Sequence, residues 1–195
     1  MEDRILNEKE SLALISQMIQ NTKKNVKQNA GMPALLWGYT TIITSLLVYL
    51  GWTLINQPWV MYGWFLIPVF GGVGSLYLSK REKPALTKTY LDRVVKYIWI
   101  ILGIVCFGTS VVAFIYTFPI LFFVSILMAA AITLTGCVAD YKVYVHYGTV
   151  GIVLSFLCLV IRGPEQILVF AGIFVIMMII PSHLLNADLK KYENK

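Results

Sequence analysis

The sequence predicts an all-α integral membrane protein of six transmembrane helices, and three observations lead there. Of the 195 residues, 58% are apolar and 13% charged, against roughly a quarter charged in a soluble domain, and the mean hydropathy is +0.73. The apolar residues fall into runs approaching the roughly 20 that a helix needs to cross about 30 Å of hydrocarbon. Every Lys and Arg of the 16 except Arg162 falls in segments that such a six-span path puts on one side. Closed barrels need short stretches of alternating polarity, which are absent, so the spans are read as helices.

The basic interruption from Lys80 to Lys96, KREKPALTKTYLDRVVK, sets the orientation. Translocating Lys and Arg is costly, so this loop is expected in the cytoplasm, and both termini with it. Five spans would strand the C-terminal lysines on the opposite side. The net charge of +6 is spread over short segments between spans, which points to the lipid bilayer and its anionic headgroups as partner rather than nucleic acid. Cys106, Cys137 and Cys158 each sit in an apolar run without Cys-x-x-Cys spacing, so packing is expected of them rather than zinc binding or a disulfide framework.

Residues 1–32 are read as a cytoplasmic amphipathic helix without a cleavable signal, since the opening MEDRILNEKE is charged. Asn7 and Glu10 have the spacing of a helix cap. Ile5, Leu12, Ile19 and Val26 recur every seven positions with Ile15 between them, one apolar stripe along a helix. Such a stripe rests on headgroups or beneath its own spans; the sharper reading is a short coiled coil that docks a cytoplasmic protein or a second copy. Gly31 and Pro33 are expected to end this helix and open the first span, about 33–55.

Asn56, Gln57 and Pro58 make an outer turn, with Trp52, Trp59, Tyr62 and Trp64 around it as interfacial rings. The second span, about 59–79, contains Pro68 followed by Gly71, Gly72 and Gly74. These form either a packing face or an unwound stretch at a substrate site. The third span, about 96–117, turns at Thr117, Phe118 and Pro119 into an antiparallel fourth, about 119–138. There, Ala129 to Ala131 with Thr133, Thr135 and Gly136 offer a small-residue contact face. A fifth span, about 145–161, turns at Arg162 to Gln166 into a sixth, about 166–185, which is expected to end near Pro181 and His183. Residues 186–195 are a polar tail. The plan is three tandem hairpins with short outer turns, at the bacterial cytoplasmic (inner) membrane.

Leu36-Trp37-Gly38-Tyr39, Phe65-Leu66-Ile67-Pro68, Tyr90-Leu91-Asp92-Arg93, and Thr135-Gly136 with Tyr141-Lys142 carry a resemblance. On them the chain resembles an uncharacterised family of small bacterial six-span inner-membrane proteins, often encoded beside a small winged-helix transcriptional regulator. Members often carry Pro after the position of Lys142 and a glycine pair soon after; here Val143 follows and Gly148 stands alone. The resemblance spans nearly the whole chain and implies no particular chemistry.

Ionisable groups in or beside spans are the default functional candidates. Asp140, Lys142 and His146 surround the inner turn after the fourth span, and His183 ends the sixth on the same side. Two imidazoles and a carboxylate suit a metal or a proton relay, but the spacing matches no known ligand motif, so neither cofactor nor metal is expected. Arg162 and Glu165 bracket an outer turn as an exposed pair, worth about 0–1 kcal/mol. Span hydroxyls are expected to bond back to their own helices. Hydrolase, phosphate-loop and ion-pump signatures are missing. The first functional reading is therefore a non-catalytic sensor or regulatory partner. The second is a small-molecule or lipid transporter with its site between hairpins near Pro68 and Gly71, and the third a membrane enzyme using His146 and His183.

Overall fold

A backbone surrounded by apolar side chains and cut off from water must bond to itself, and this chain does so as helix. A computed structural model describes residues 8–81 and 90–193. Among these there is no strand. Six helical stretches are long and apolar enough to cross a membrane: Gly31–Ile55, Pro58–Leu78, Tyr90–Ile115, Ile120–Ala139, Lys142–Val160 and Glu165–Leu189. By length and composition this is a multi-pass membrane protein.

The first helix, α1, runs from Glu8 to Ile55 with Pro33 inside it. The expected break at Gly31 and Pro33 does not form. A proline in a helix interior loses a hydrogen bond and costs about 3 kcal/mol, and packing around it offsets that loss. A Cβ on Gly31 would lie 2.6 Å from Asn186 Oδ1 and 3.4 Å from Leu185 Cδ2, and Ala34 is wholly buried. Leu12 is 67% exposed on the first part of α1; Ile5 lies outside the described residues, and only the backbone is described at Ile15, Ile19 and Val26.

Asn56, at φ 49°, turns the chain into a 3-10 helix, Pro58–Phe65, which leads into α2, Leu66–Arg81. This opening turn interlocks with α1: Val60 approaches Gly51, and Gly63 approaches Val48, each 2.9 Å from the Cβ the glycine lacks. Pro68 is the third residue of α2, so the irregular geometry lies just before it. The third span starts earlier than expected, as α3, Tyr90–Ile115, with Asp92 in the first turn, where a negative charge suits the helix dipole. Arg93 and Lys96 are therefore helical.

After Phe118 and Pro119 comes α4, Ile120–Ala139, ended by Asp140 in the left-handed region at φ 51°. The Tyr141 amide bonds Gly136 O at 2.9 Å, closing the helix end so tightly that α5 begins at once, Lys142–Ser155, rather than at 145. A short α6, Leu157–Val160, completes that stretch. Gly163, at φ 97°, makes the next turn. The last stretch comprises α7, Glu165–Phe174, a π turn at Val175–Ile179, and α8, Ile180–Glu193. It does not end near Pro181 and His183. Pro181 has no N–H for the carbonyl four residues back, and the wide turn before it, with the Ile180 amide on Val175 O, lets the helix continue.

The core lies where α1, α4, α5 and the π turn meet, around buried Ala129, Ile132, Phe170, Phe174, Met177 and Met178. The small-residue face of α4 is used there: a Cβ on Gly136 would meet Val145 N at 2.7 Å, and one on Gly148 would meet Thr133 N at 2.8 Å. Span hydroxyls bond back as expected, among them Ser45 to Thr41 O and Thr135 to Ala131 O, both at 2.7 Å. The second and third stretches are peripheral: 6% of the third is buried against 56% of the sixth.

Gly148→Ala should destabilise the bundle by about 1–3 kcal/mol, since the methyl overlaps backbone. Gly172, with nothing within 4 Å of its missing Cβ, should gain about 0.5–1 kcal/mol as Ala from helix propensity. Denaturation in mixed micelles compares the two, and similar effects would contradict this packing.

Candidate functional site

Polar side chains on the buried side of a helix must find partners, because an unbonded buried hydroxyl costs about 1–3 kcal/mol. Those of α8 find them in three tyrosines. Ser182 Oγ lies 2.8 Å from Tyr144 Oη of α5 with both side chains buried. His183 Nε2 lies 2.7 Å from Tyr39 Oη of α1, with the two rings edge to face at 6.0 Å. Asp188 Oδ2 accepts from Tyr141 Oη at 3.1 Å. Three residues of α8 are thus tied to α5, to α1 and to the two-residue link between α4 and α5.

The ladder divides by exposure. Tyr144 and Ser182 form an interior bond that fixes the rotation of α8 against α5. Tyr39 and His183 are both exposed, and their bond survives either charge state of the imidazole: the neutral ring accepts from the phenol, and the protonated ring donates to it. Burial, and then the Asp188 carboxylate, push the Tyr141 phenol above its ordinary range. A tyrosine raised in the folded state contributes stability that is complete below its unfolded value of about 10 and lost only as pH rises through the folded one. Its contribution is therefore constant between about pH 6 and 9.

The four candidate polar residues are not gathered into one site. Asp140 supplies the left-handed helix end, a conformation that Asp tolerates better than most residues. Lys142 opens α5 and is exposed. His146 is two residues beyond Tyr144, so the helical period turns it away from the face that meets α8. It lines a shallow groove of about 240 Å³ with Thr149, Val150, Val153 and Leu154, all of α5. Among the described residues no three His, Cys, Asp or Glu side chains could hold a metal ion. Of the four, only His183 belongs to the ladder. Sequence reasoning missed Tyr39, Tyr141, Tyr144, Ser182 and Asp188, although Tyr141, next to the named Lys142, and Tyr144, two residues from the named His146, offered a signal.

At the helix–glycine group in the second span, a Cβ on Gly71 would meet the Trp37 ring at 2.7 Å, and one on Gly74 would meet Leu36 at 2.8 Å. Trp37 Nε1 also donates to Ser75 Oγ at 3.0 Å. Gly71 and Gly74 thus seat α2 on α1, whereas Gly72 faces open space. A separate cup of about 440 Å³ lies at the opposite end of the bundle, where Trp52, Trp64, Phe118, Pro119, Pro164 and Gln166 converge from three turns. Comparison of the chain with protein-family models, curated proteins and solved structures finds no match.

Ser182→Ala strands the Tyr144 hydroxyl and should cost about 1–3 kcal/mol. Tyr144→Phe should cost less, about 0.5–1 kcal/mol, because a serine hydroxyl can turn to a carbonyl of its own helix. Unfolding of both variants in micelles checks the order of the two losses. A larger loss for Tyr144→Phe would contradict the interior bond.

Proposed function

We propose that this is a non-catalytic membrane protein of the bacterial cytoplasmic membrane that acts by interaction, as a small sensor or regulatory partner. The observation that carries this reading is the unbroken helix through Gly31 and Pro33. A helix continuous with a span cannot lie flat along the headgroups. Residues 8–30 add about 35 Å of helix at 1.5 Å per residue, which projects into the cytoplasm if the basic segments face that way. Leu12 on this rod is exposed, and the stripe expected from the sequence, Ile5, Leu12, Ile15, Ile19 and Val26, is the surface that a cytoplasmic protein or a second copy would cover. The ladder on α8, together with Asn186 against Gly31, ties the base of this rod to the bundle, so a change in helix packing reaches the rod as a rigid movement. Three tandem hairpins, both termini in the cytoplasm, and membership of the family that the chain resembles belong to the same reading. The transporter alternative loses support near Pro68 and Gly71, where Trp37 and Leu36 occupy the space. The enzyme alternative loses it because His146 and His183 lie on differently directed faces.

A photocrosslinker at position 12 should give one discrete adduct in cells, which Ile15→Glu or Ile19→Glu abolishes while membrane insertion is unchanged. No adduct, or an adduct indifferent to both substitutions, would overturn the interaction reading. A C-terminal reporter active only outside the cytoplasm would overturn the orientation.

A further inference from the structure

The cup of about 440 Å³ at the end of the bundle away from the α8 ladder is built from three chain reversals. Trp52 comes from the last turn of α1 and Trp64 from the 3-10 helix, Phe118 and Pro119 from the link between α3 and α4, and Pro164 and Gln166 from the start of α7. Its rings are held from behind. Trp64 sits edge to face on Phe170 with centroids 5.8 Å apart, Phe118 stacks on Phe123 at 4.4 Å, and Trp52 packs against the buried cluster of Val48, Val60 and Ile167. The polar groups around this aromatic wall are acceptors. Gln166 Nε2 donates to Cys158 O, so the oxygen is the end of that amide left to a ligand. Gly163, also a wall residue, makes its turn at φ 97° with the Gln166 amide on its carbonyl at 3.2 Å. Glu165 folds back over this turn, and its Oε2 lies 2.9 Å from the Cβ that Gly163 lacks. A carboxylate thus stands at the rim.

We propose that this cup binds one lipophilic organic cation, an ammonium group on an apolar body, with the ammonium between the aromatic walls and the Glu165 carboxylate. Size and lining suit a small molecule, since ligand pockets run from roughly 300 to 1,000 Å³ and are mostly apolar with a few placed polar groups. The sign of the charge follows from those groups. Indole and phenyl rings carry negative π faces that attract ammonium ions, the chemistry by which aromatic cages hold quaternary amines. An amide oxygen and a carboxylate add to that attraction and would repel an anion. From Lys96 to Asp140 and from Lys142 to Asp188 the chain carries only two charges, Arg162 and Glu165. Both are exposed, and Glu165 is the one whose carboxylate folds onto a wall residue. The apolar body would rest on Pro119, Pro164 and Ile167, which shed water on contact.

Calorimetric titration of the full chain in uncharged micelles tests this, with benzyltrimethylammonium as probe and phenylmethanesulfonate as its anionic counterpart of similar size. The cation should bind at one site, at least about tenfold more tightly than the anion. Glu165→Gln should weaken the cation by about three- to tenfold, and so should Phe118→Leu, which keeps an apolar wall but removes its π face. Phe118→Tyr, which restores the ring, should bind within about twofold of the intact protein. Ile120→Trp, which fills the cup from the start of α4, should abolish binding. Melting of each variant without ligand, unchanged from that of the intact protein, shows that the bundle is folded. Equal binding of the two probes, or tighter binding of the anion through Arg162, would overturn the cation assignment. Phe118→Leu binding like Phe118→Tyr would overturn the aromatic recognition, and undiminished binding by Ile120→Trp would overturn the location.

Discussion

The contact on which the rest depends is the seating of the Val175–Ile179 π turn between two glycines. A Cβ on Gly38 of α1 would lie 2.8 Å from Ile179 Cδ1, and one on Gly151 of α5 would lie 2.9 Å from Met177 Cβ. A methyl at Gly151 would press on Met177 Cβ, and one at Gly38 would displace the Ile179 side chain and press on Met178 Cβ at 3.2 Å. The turn is wide because Pro181 follows it and offers no amide, and its width pushes Met177 and Met178 into the core, where both are wholly buried. With this point pinned, the register of α8 follows turn by turn. Ser182 reaches Tyr144, His183 reaches Tyr39, Asn186 reaches Gly31 and Asp188 reaches Tyr141. The hydrogen bonds read out a rotation that packing has already set, in keeping with the modest average of about 0.6 kcal/mol for interhelical bonds in membranes.

Much of the architecture was legible because hydrophobic runs and turn residues are local signals. Six apolar helical stretches are present as composition put them, and the turns at Asn56, before Ile120 and at Gly163 lie at turn residues, although the third and fifth stretches begin earlier and the sixth ends later than expected. Small residues on α4 were read as a contact face, and Gly136 makes that contact. The misses share one cause, tertiary contact overriding a local preference. Pro33 reads as a boundary in isolation, but Gly31 has Leu185 and Asn186 against it and the helix stays whole. Pro181 reads as an end, but a one-residue widening of the turn absorbs it. Asp140 reads as a functional carboxylate, but its backbone conformation gives it a sufficient structural role.

The candidate site was less legible than the fold. His183 was identified from its type, while its partner Tyr39 is 144 positions away in sequence, a separation that no spacing rule spans. The same holds for Tyr144 and Ser182. Tyrosine is ambiguous in such a chain because its ring suits the interface or the core equally, and only the position of the hydroxyl decides which. His146 shows the converse. An imidazole in an apolar stretch draws attention, yet the phase of α5 carries it away from α8 once Tyr144 is fixed inward.

The distribution of burial has a mechanical meaning. α1, α4, α5 and the last stretch form a unit joined by glycine contacts and buried bonds, whereas among the described residues α2 touches only α1 and its own 3-10 turn, and α3 packs on α4 and α1. Small rotations of α2 or α3 disturb few contacts among the described residues, since their outer side chains are exposed. Rotation of α1 is different: it would have to expel Met178 from Gly38, Asn186 from Gly31 and Tyr39 from His183 together. Movement at the edge of the bundle therefore costs little and movement of the long helix costs much. α7, the π turn and α8 all pack on α1, and the widened turn among them has an ordinary α-helical alternative that would shift every later residue of α8 by about 100° relative to its partners.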